Sequence, residues 1–127
     1  MDLSIASEAA AVQALGALAQ ETRLRVFRLL VEAGPQGLPA GEVARRLGVP
    51  ANTMSGHLGI LARAGLVLQR RDSRLILCSA DFAGLRALLD FLLRDCCGGQ
   101  AAACAPLLDS LLPMACCPPL PAEGPAT

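Results

Sequence analysis

Three cysteines in the last third of the chain have the type and spacing of a soft metal site. Cys96 and Cys97 are adjacent, and Cys104 lies seven residues beyond the pair. Neighbouring residues on a helix point about 100° apart, so the pair can converge on one ion only where a helix ends, and Gly98-Gly99 provides such an end. Thiolate ligands without a nearby histidine select Zn, Cu(I), Hg, Cd or a trivalent metalloid rather than a hard cation.

Trivalent arsenic or antimony suits this ligand set best, for two reasons. As(III) binds three thiolates in a pyramid with a lone pair in the fourth position, whereas structural zinc takes a fourth ligand. In addition, Asp95 and the carboxyl end of a helix should keep the thiols protonated; As(OH)₃ can release water with those protons, while zinc must displace them. We therefore expect As(III) or Sb(III) as the ligand, with incidental thiols or a redox pair as the alternatives.

The other cysteines and the single histidine are weaker candidates for a functional site. Cys116 and Cys117 could extend the site, bind a two-thiol species such as a methylated arsenite, or have no specific role. Cys78 lies in a predicted strand and is expected to be a small core residue. His57 is the only histidine, so a packed or phosphate-contacting role is favoured over a multi-histidine metal site. The sequence has no carboxylate pair, nucleophile with a base, or phosphate loop; we expect neither an enzyme nor a catalytic cofactor.

The stretch from Pro50 to Leu66 is predicted to be a helix that stops at Gly65. Its apolar residues Met54, Leu58 and Leu61 fall at i, i+4, i+7 spacing and form one stripe. The opposite face is nearly bare backbone with a few polar tips, and it comprises Asn52, Thr53, Gly56, Gly59 and Arg63, with Ile60 as its one apolar member. Such a face can approach another surface closely.

A short helix from Ala40 to Leu47 and the turn Gly48-Val49-Pro50 precede this stretch, and together they match a helix-turn-helix. In that motif the second helix enters the DNA major groove, where Asn52 is suited to pairing with adenine. Two packed helices of an ordinary helical domain are the alternative. On the DNA interpretation the contacting residues are Asn52, Thr53, Ser55, Gly56, His57, Arg63, Arg70, Arg71 and Arg74.

The arginines are concentrated around this motif, although the formal net charge is zero. Residues 21–74 carry nine arginines against four carboxylates, and the rest of the chain carries two arginines against seven. The predicted strands 66–69 and 75–79 flank a loop, residues 70–74, that holds three arginines. Such a loop is either a solvated turn or a wing that contacts phosphate or the minor groove.

The other predicted helices cover residues 3–19, 21–33 and 82–95, the last capped by Asp81. The first and last are too apolar for one small core, so they predict a homodimer, which also suits two DNA half-sites about 34 Å apart. We expect a DNA-binding and dimerisation domain over residues 1–95, and a cysteine-containing segment with a Pro-rich tail over 96–127. A short helix is expected in 100–112 and disorder from Pro113 onward.

Composition narrows the class of protein further. The only aromatic residues are three phenylalanines, too few for the stacking platforms that bind single-stranded nucleic acid. Neither a signal peptide nor an uncharged apolar run of about 18 residues is present, so a cytoplasmic protein without a membrane partner is expected.

The sequence resembles the ArsR/SmtB family of winged-helix repressors over roughly residues 10–95. The resemblance rests on residues 18–25, on Gly41-Glu42-Val43-Ala44 with Leu47-Gly48-Val49, and on Ser55-Gly56-His57-Leu58 with residues 61–67. It implies a mainly α winged helix-turn-helix with a small β-hairpin. It also implies a homodimer, joined by its first and last helices, that represses a resistance operon on double-stranded DNA until a toxic ion releases it.

Two of the family's metal sites are excluded, because the third helix has no cysteine and the last helix no histidine. The arrangement is similar to that of members sensing arsenite through an adjacent cysteine pair and a third cysteine after the last helix, here Cys96, Cys97 and Cys104. Pro39 and Pro50 stand where the family commonly has serine, and Ser73 stands where the wing usually has glycine. An arsenite metallochaperone and a thiol redox or persulfide sensor of the same fold remain as alternatives.

Overall fold

The computed structural model describes residues 7–94, which form five helices and a three-stranded antiparallel sheet. In chain order the elements are α1 Glu8–Leu18, α2 Glu21–Ala33, β1 Leu38–Pro39, α3 Ala40–Leu47, α4 Ala51–Arg63, β2 Val67–Asp72, β3 Leu75–Ala80 and α5 Phe82–Leu93. The predicted fold class, mainly α with a small β-hairpin in a winged helix-turn-helix, is confirmed.

Polar side chains cap three of the helices. Ser7 accepts a hydrogen bond from the Ala10 amide at 3.1 Å, and Gln20 accepts one from the Arg23 amide at 2.8 Å. Because Ser7 is extended, α1 begins at Glu8; residues 3–6 of the predicted helix lie outside the described residues. Asp81 accepts from the Gly84 amide at 2.9 Å, which confirms its predicted role as the cap of α5.

The helices α3 and α4 form the predicted helix-turn-helix. α3 ends at Gly48, whose φ of 67° is left-handed, and the Val49 amide donates to the Ala44 carbonyl at 3.0 Å. Both helices begin after a proline that makes no side-chain cap, Pro39 for α3 and Pro50 for α4. Proline restricts φ at each of these positions, but it does not supply the capping hydrogen bond that the serine common in the family would make.

The sheet has the order β1-β3-β2, and its first strand was not predicted. β1 is only two residues long and pairs Leu38 with Cys78, so it is too short to show an alternating pattern. Gly37 makes the pairing possible, because a Cβ at this position would overlap the Cys78 carbonyl oxygen and the φ of +74° favours glycine. The predicted wing, formed by β2 and β3, is thereby paired with the residues directly before α3.

The core is made of aliphatic side chains from α2, α3, α4 and the first residues after α4. The most deeply buried large residues are Val26, Leu30, Val43, Met54, Leu58, Leu61 and Leu66, together with Cys78 of β3. α1 joins this core through alanines, Ala11, Ala14 and Ala17, which allow close approach but little apolar burial. Among residues 7–94, no helix is both long enough and apolar enough to cross a membrane.

The start of α5 is packed directly on the backbone that follows α4. The Asp81 amide donates to the Leu66 carbonyl at 2.8 Å. Gly84 is buried, and a Cβ built there would overlap the Gly65 carbonyl oxygen and lie 3.3 Å from Cγ of Asp81. Since the obstacle is backbone, it cannot swing aside as a flexible side chain would.

Replacing Gly84 by Ala should therefore destabilise the fold by about 1–3 kcal/mol, as overpacking does in other cores. Chemical denaturation followed by circular dichroism measures the change. Gly41→Ala is the matched control: a Cβ at Gly41 meets nothing within 4 Å, so this variant should be as stable as the parent or up to about 1 kcal/mol more stable. Equal stability of the two variants would contradict the packing described here.

Candidate nucleic-acid interface

The helix α4 presents one apolar face to the core and one polar face to solvent. Met54, Leu58 and Leu61 are buried, as their spacing predicted. On the opposite side the predicted contact residues Asn52, Thr53, Ser55 and Gly56 are all exposed. Ile60 departs from the prediction, since it is half-buried and packs against the core.

The exposed face of α4 is open to close approach at two places. A Cβ at Gly56 would meet nothing within 4 Å, so the backbone there lies bare in the middle of the polar face. At the amino end, Pro50 provides no side-chain hydrogen bond to the first turn. The first backbone amides of α4 thus remain available to an anion such as a DNA phosphate.

His57 is half-buried at the edge of this face. Its Nδ1 is buried and has no hydrogen-bond partner among residues 7–94, which leaves Nε2 as the ring nitrogen able to reach a ligand. This position is compatible with the packed or phosphate-contacting role expected for the residue.

The wing differs from its predicted form. β2 extends to Asp72, so Arg70 and Arg71 lie on a strand and not at the tip, and only Arg74 belongs to the turn. Successive strand residues point to opposite faces, so the side chains of Arg70 and Arg71 leave β2 on opposite sides. Ser73 at the turn has a φ of 59°, which is the conformation that explains why the family usually has glycine there.

All three wing arginines are exposed, and none of them forms an ion pair within the part of the chain that the structure describes. In α3 the situation is the opposite. Glu42 bonds both Arg45 and Arg46, the latter from Nε at 2.7 Å. The hydrogen bonds from Arg46 and then Arg45 lower the pKa of the Glu42 carboxyl. The arginines of α3 are therefore paired with a carboxylate, whereas those of the wing are not.

Arg63 lies in the last turn of α4, about 16 Å along the helix axis from Asn52 at the usual rise per residue. It is exposed, and it lines a cavity together with residues of α1 and α2. This cavity had no signal in the sequence, because its walls come from three separate helices. A DNA contact by Arg63 stays a prediction.

The predicted metal ligands Cys96, Cys97 and Cys104 lie outside the described residues, as do Cys116 and Cys117. Residues 7–94 themselves hold no cluster of three or more His, Cys, Asp or Glu side chains able to bind a metal. Cys78 is fully buried, and burial raises the pKa of its thiol. It is the core residue that the sequence predicted.

Comparison with known proteins identifies the class. The HTH_20 family, a helix-turn-helix domain, matches residues 18–70. The transcriptional activator HlyU of Vibrio cholerae serotype O1 is 31% identical over 91 residues, which cover 72% of this chain and 82% of HlyU. Together with the exposed face of α4 and the wing, these similarities define a DNA-binding transcriptional regulator of the winged helix-turn-helix class.

Solved structures agree with this class. HlyU from Vibrio cholerae N16961 matches with a TM-score of 0.56 at 31% identity over 68% of this chain and 90% of that one, and its reduced form matches similarly. An ArsR-like transcriptional regulator from Rhodococcus sp. RHA1 matches with a TM-score of 0.61 at 26% identity, over 82% and 93%. A possible transcriptional regulator for arsenical resistance has a TM-score of 0.52 at 29% identity, over 72% and 94%. The chain belongs to the ArsR family of winged-helix transcriptional regulators.

If the face of α4 enters the major groove, Gly56→Glu should weaken binding to the DNA upstream of the protein's own gene by at least about tenfold. The substitution places bulk and negative charge against DNA, and like charges brought together in an interface cost several kcal/mol. The open space around Gly56 should leave the thermal unfolding midpoint near that of the control, Gly56→Ala. Fluorescence anisotropy with labelled duplex measures the affinity. If Gly56→Glu binds DNA with the parental affinity, α4 is not part of the DNA interface.

Replacing Arg70, Arg71 and Arg74 together by Gln should weaken binding to every duplex and reduce the slope of log K against log[salt] by about 2–3, since each lost phosphate contact removes about 0.9. A triple control with the same change of net charge replaces the exposed residues Arg25, Arg28 and Arg86 of α2 and α5. The slope of the control should stay close to the parental value. The same decrease in both proteins would mean that total charge, and not the wing, sets the salt dependence.

Proposed function

We propose that this protein is a homodimeric transcriptional repressor that leaves its operator when trivalent arsenic or antimony binds Cys96, Cys97 and Cys104. The observation that carries the proposal is the attachment of α5. Its first turn rests on the backbone at the end of the candidate recognition helix α4, and its last residue, Leu93, precedes Cys96 by three positions. A similar solved protein is described as a possible regulator for arsenical resistance, which supports the choice of inducer.

Dimerisation is supported by the apolar surface that α1 and α5 leave exposed. Val12 on α1 is 62% exposed and Leu92 on α5 is 49% exposed. Leu15 on α1 and Phe82 and Leu89 on α5 are exposed to a similar degree, while only Gly84 and Leu88 of α5 are buried. A helix this apolar with so little burial is stabilised by a partner, and a second copy would also supply the second recognition helix.

The ligation chemistry needs no oxidant or reductant. As(OH)₃ and three thiols give one As(III) trithiolate and three molecules of water, so each As–O bond is replaced by an As–S bond and each thiol proton leaves in water. The segment that supplies the sulfurs must bring them to one atom. This requirement puts a constraint on the chain directly after α5.

The attachment of α5 to α4 would transmit this constraint to the DNA-binding surface. A displacement of α5 in the dimer interface changes the separation of the two α4 helices, because each α5 is fixed to the end of its own α4. Half-sites about 34 Å apart tolerate little change in that separation. A coupling free energy of roughly 1–3 kcal/mol would be ordinary, and operator DNA would weaken As(III) binding by the same factor.

Thiol oxidation is the second candidate trigger. Reduced HlyU is among the similar solved structures, which supports retaining thiol oxidation as an alternative. A disulfide from Cys104 to Cys96 or Cys97 would constrain the same segment. A metallochaperone has less support, because it needs neither the bare face of α4 nor the unpaired arginines of the wing. The proposed location is the cytoplasm, where the thiols remain reduced.

Changing Cys104 to Ser should leave operator binding intact and abolish release by arsenite, because As(III) then loses one of its three sulfurs. The double variant Cys116→Ser with Cys117→Ser is the control and should respond like the parent. Electrophoretic mobility shift on the upstream DNA, titrated with arsenite in the presence of a non-thiol reductant, measures both.

If arsenite releases the Cys104 variant from DNA at the parental concentration, the inducer does not bind at Cys96, Cys97 and Cys104. Loss of the response in the control variant would lead to the same conclusion. Release of the parent by a mild oxidant, with no response to arsenite, would select the redox alternative.

A further inference from the structure

A cavity of about 230 Å³ lies where α1, α2 and α4 meet. It is lined by Gln13, Gly16, Ala17, Arg23, Ile60, Arg63 and Ala64. Two of these residues are arginines and none is acidic. The volume is below the 300–1,000 Å³ typical of sites for drug-sized ligands, so a fitting occupant is small.

The two guanidinium groups are held in different ways. Arg23 donates from Nε to the Ala17 carbonyl at 2.7 Å, which fixes the position of its planar head at the cavity wall. Arg63 folds back along α4, where its Nη1 lies 3.4 Å from the position of a Cβ on Gly59. Neither arginine forms an ion pair with a carboxylate among residues 7–94.

Gly16 of α1 forms part of the cavity wall. It lies in the interior of α1, where glycine is less favourable than alanine by about 1 kcal/mol. A Cβ at Gly16 would meet nothing within 4 Å, so packing does not require glycine there.

We propose that this cavity binds a small oxyanion, the carboxylate or phosphate group of a metabolite, between Arg23 and Arg63. Guanidinium groups recognise the paired oxygens of such anions through charge-assisted hydrogen bonds, and the Gln13 side chain adds a further polar partner at the rim. The site is distinct from the cysteines, and it shares only Ile60 and Arg63, near the carboxyl end of α4, with the outward face predicted for that helix. It does not depend on arsenic binding or on the identity of the operator.

The test uses the full chain, free of DNA and arsenic, and inorganic phosphate as the probe. The ¹⁵N-labelled protein is titrated with phosphate against chloride at constant ionic strength, and the Nε–H signals of the arginines are followed by NMR. The signals of Arg23 and Arg63 should shift with one saturable curve. Arg63→Gln should raise the apparent Kd by at least about tenfold, the weight of a charge-assisted hydrogen bond.

Two further variants separate the site from general charge effects. Arg28→Gln removes an exposed arginine of α2 outside the cavity and should keep the parental Kd. Gly16→Leu should fold, since its Cβ has free space, and its added bulk at the cavity wall should weaken saturable binding. Linear shifts shared by all arginines, or unchanged binding in Arg63→Gln, would overturn the proposal.

A second titration identifies the source of the oxyanion. A short duplex of unrelated sequence replaces inorganic phosphate, under the same conditions. If the Arg63 signal responds to the duplex and not to free phosphate, the cavity contacts the DNA backbone, and the proposal of a small-molecule site is wrong. A response to free phosphate supports the proposal whether or not the protein is an arsenic sensor.

Discussion

The position of α5 depends on a contact between two glycines. Gly84 lies against the Gly65 carbonyl so closely that a Cβ would overlap the oxygen, and the Asp81 amide is bonded to the neighbouring Leu66 carbonyl. The end of α4 and the beginning of α5 are therefore joined through their backbones. Leu88 adds a side chain of α5 to the core, and Leu85, Ala87 and Phe91 pack against that core while partly exposed. In the proposed function a displacement of α5 would act on the end of α4 through the backbone contact and through these side chains.

A close backbone contact at a glycine also holds the wing to the helix-turn-helix. Gly37 approaches the Cys78 carbonyl, and the two residues of β1 then pair with β3 just before α3 begins. The wing and the two helices of the motif consequently share one core, in which Cys78 is fully buried. Of the two elements that face DNA in the proposed function, the wing is thus positioned by a backbone contact at a glycine and α4 by its buried apolar side chains.

The electrostatic pattern explains how a chain of zero net charge can still present a basic surface. Glu42 pairs with two arginines of α3, and Glu21 pairs with Arg25 of α2. The arginines of the wing and those of the cavity have no such partners within residues 7–94. Exposed ion pairs of this kind add little to stability; their effect here is to offset the charge of Arg25, Arg45 and Arg46, whereas the arginines of the wing and the cavity keep their positive charge.

The sequence by itself determined the helices, the helix-turn-helix, the inward face of α4 and the Asp81 cap, because each depends on local periodicity or on a side chain within three residues of its partner. It also nominated the cysteines, which lie beyond the described residues. Tertiary structure alone decided β1, the division of Arg70, Arg71 and Arg74 between strand and turn, the contact of Gly84 with Gly65, and the cavity that joins Arg23 to Arg63. These features depend on how separate elements approach one another in space, and no local pattern of residues encodes that distance.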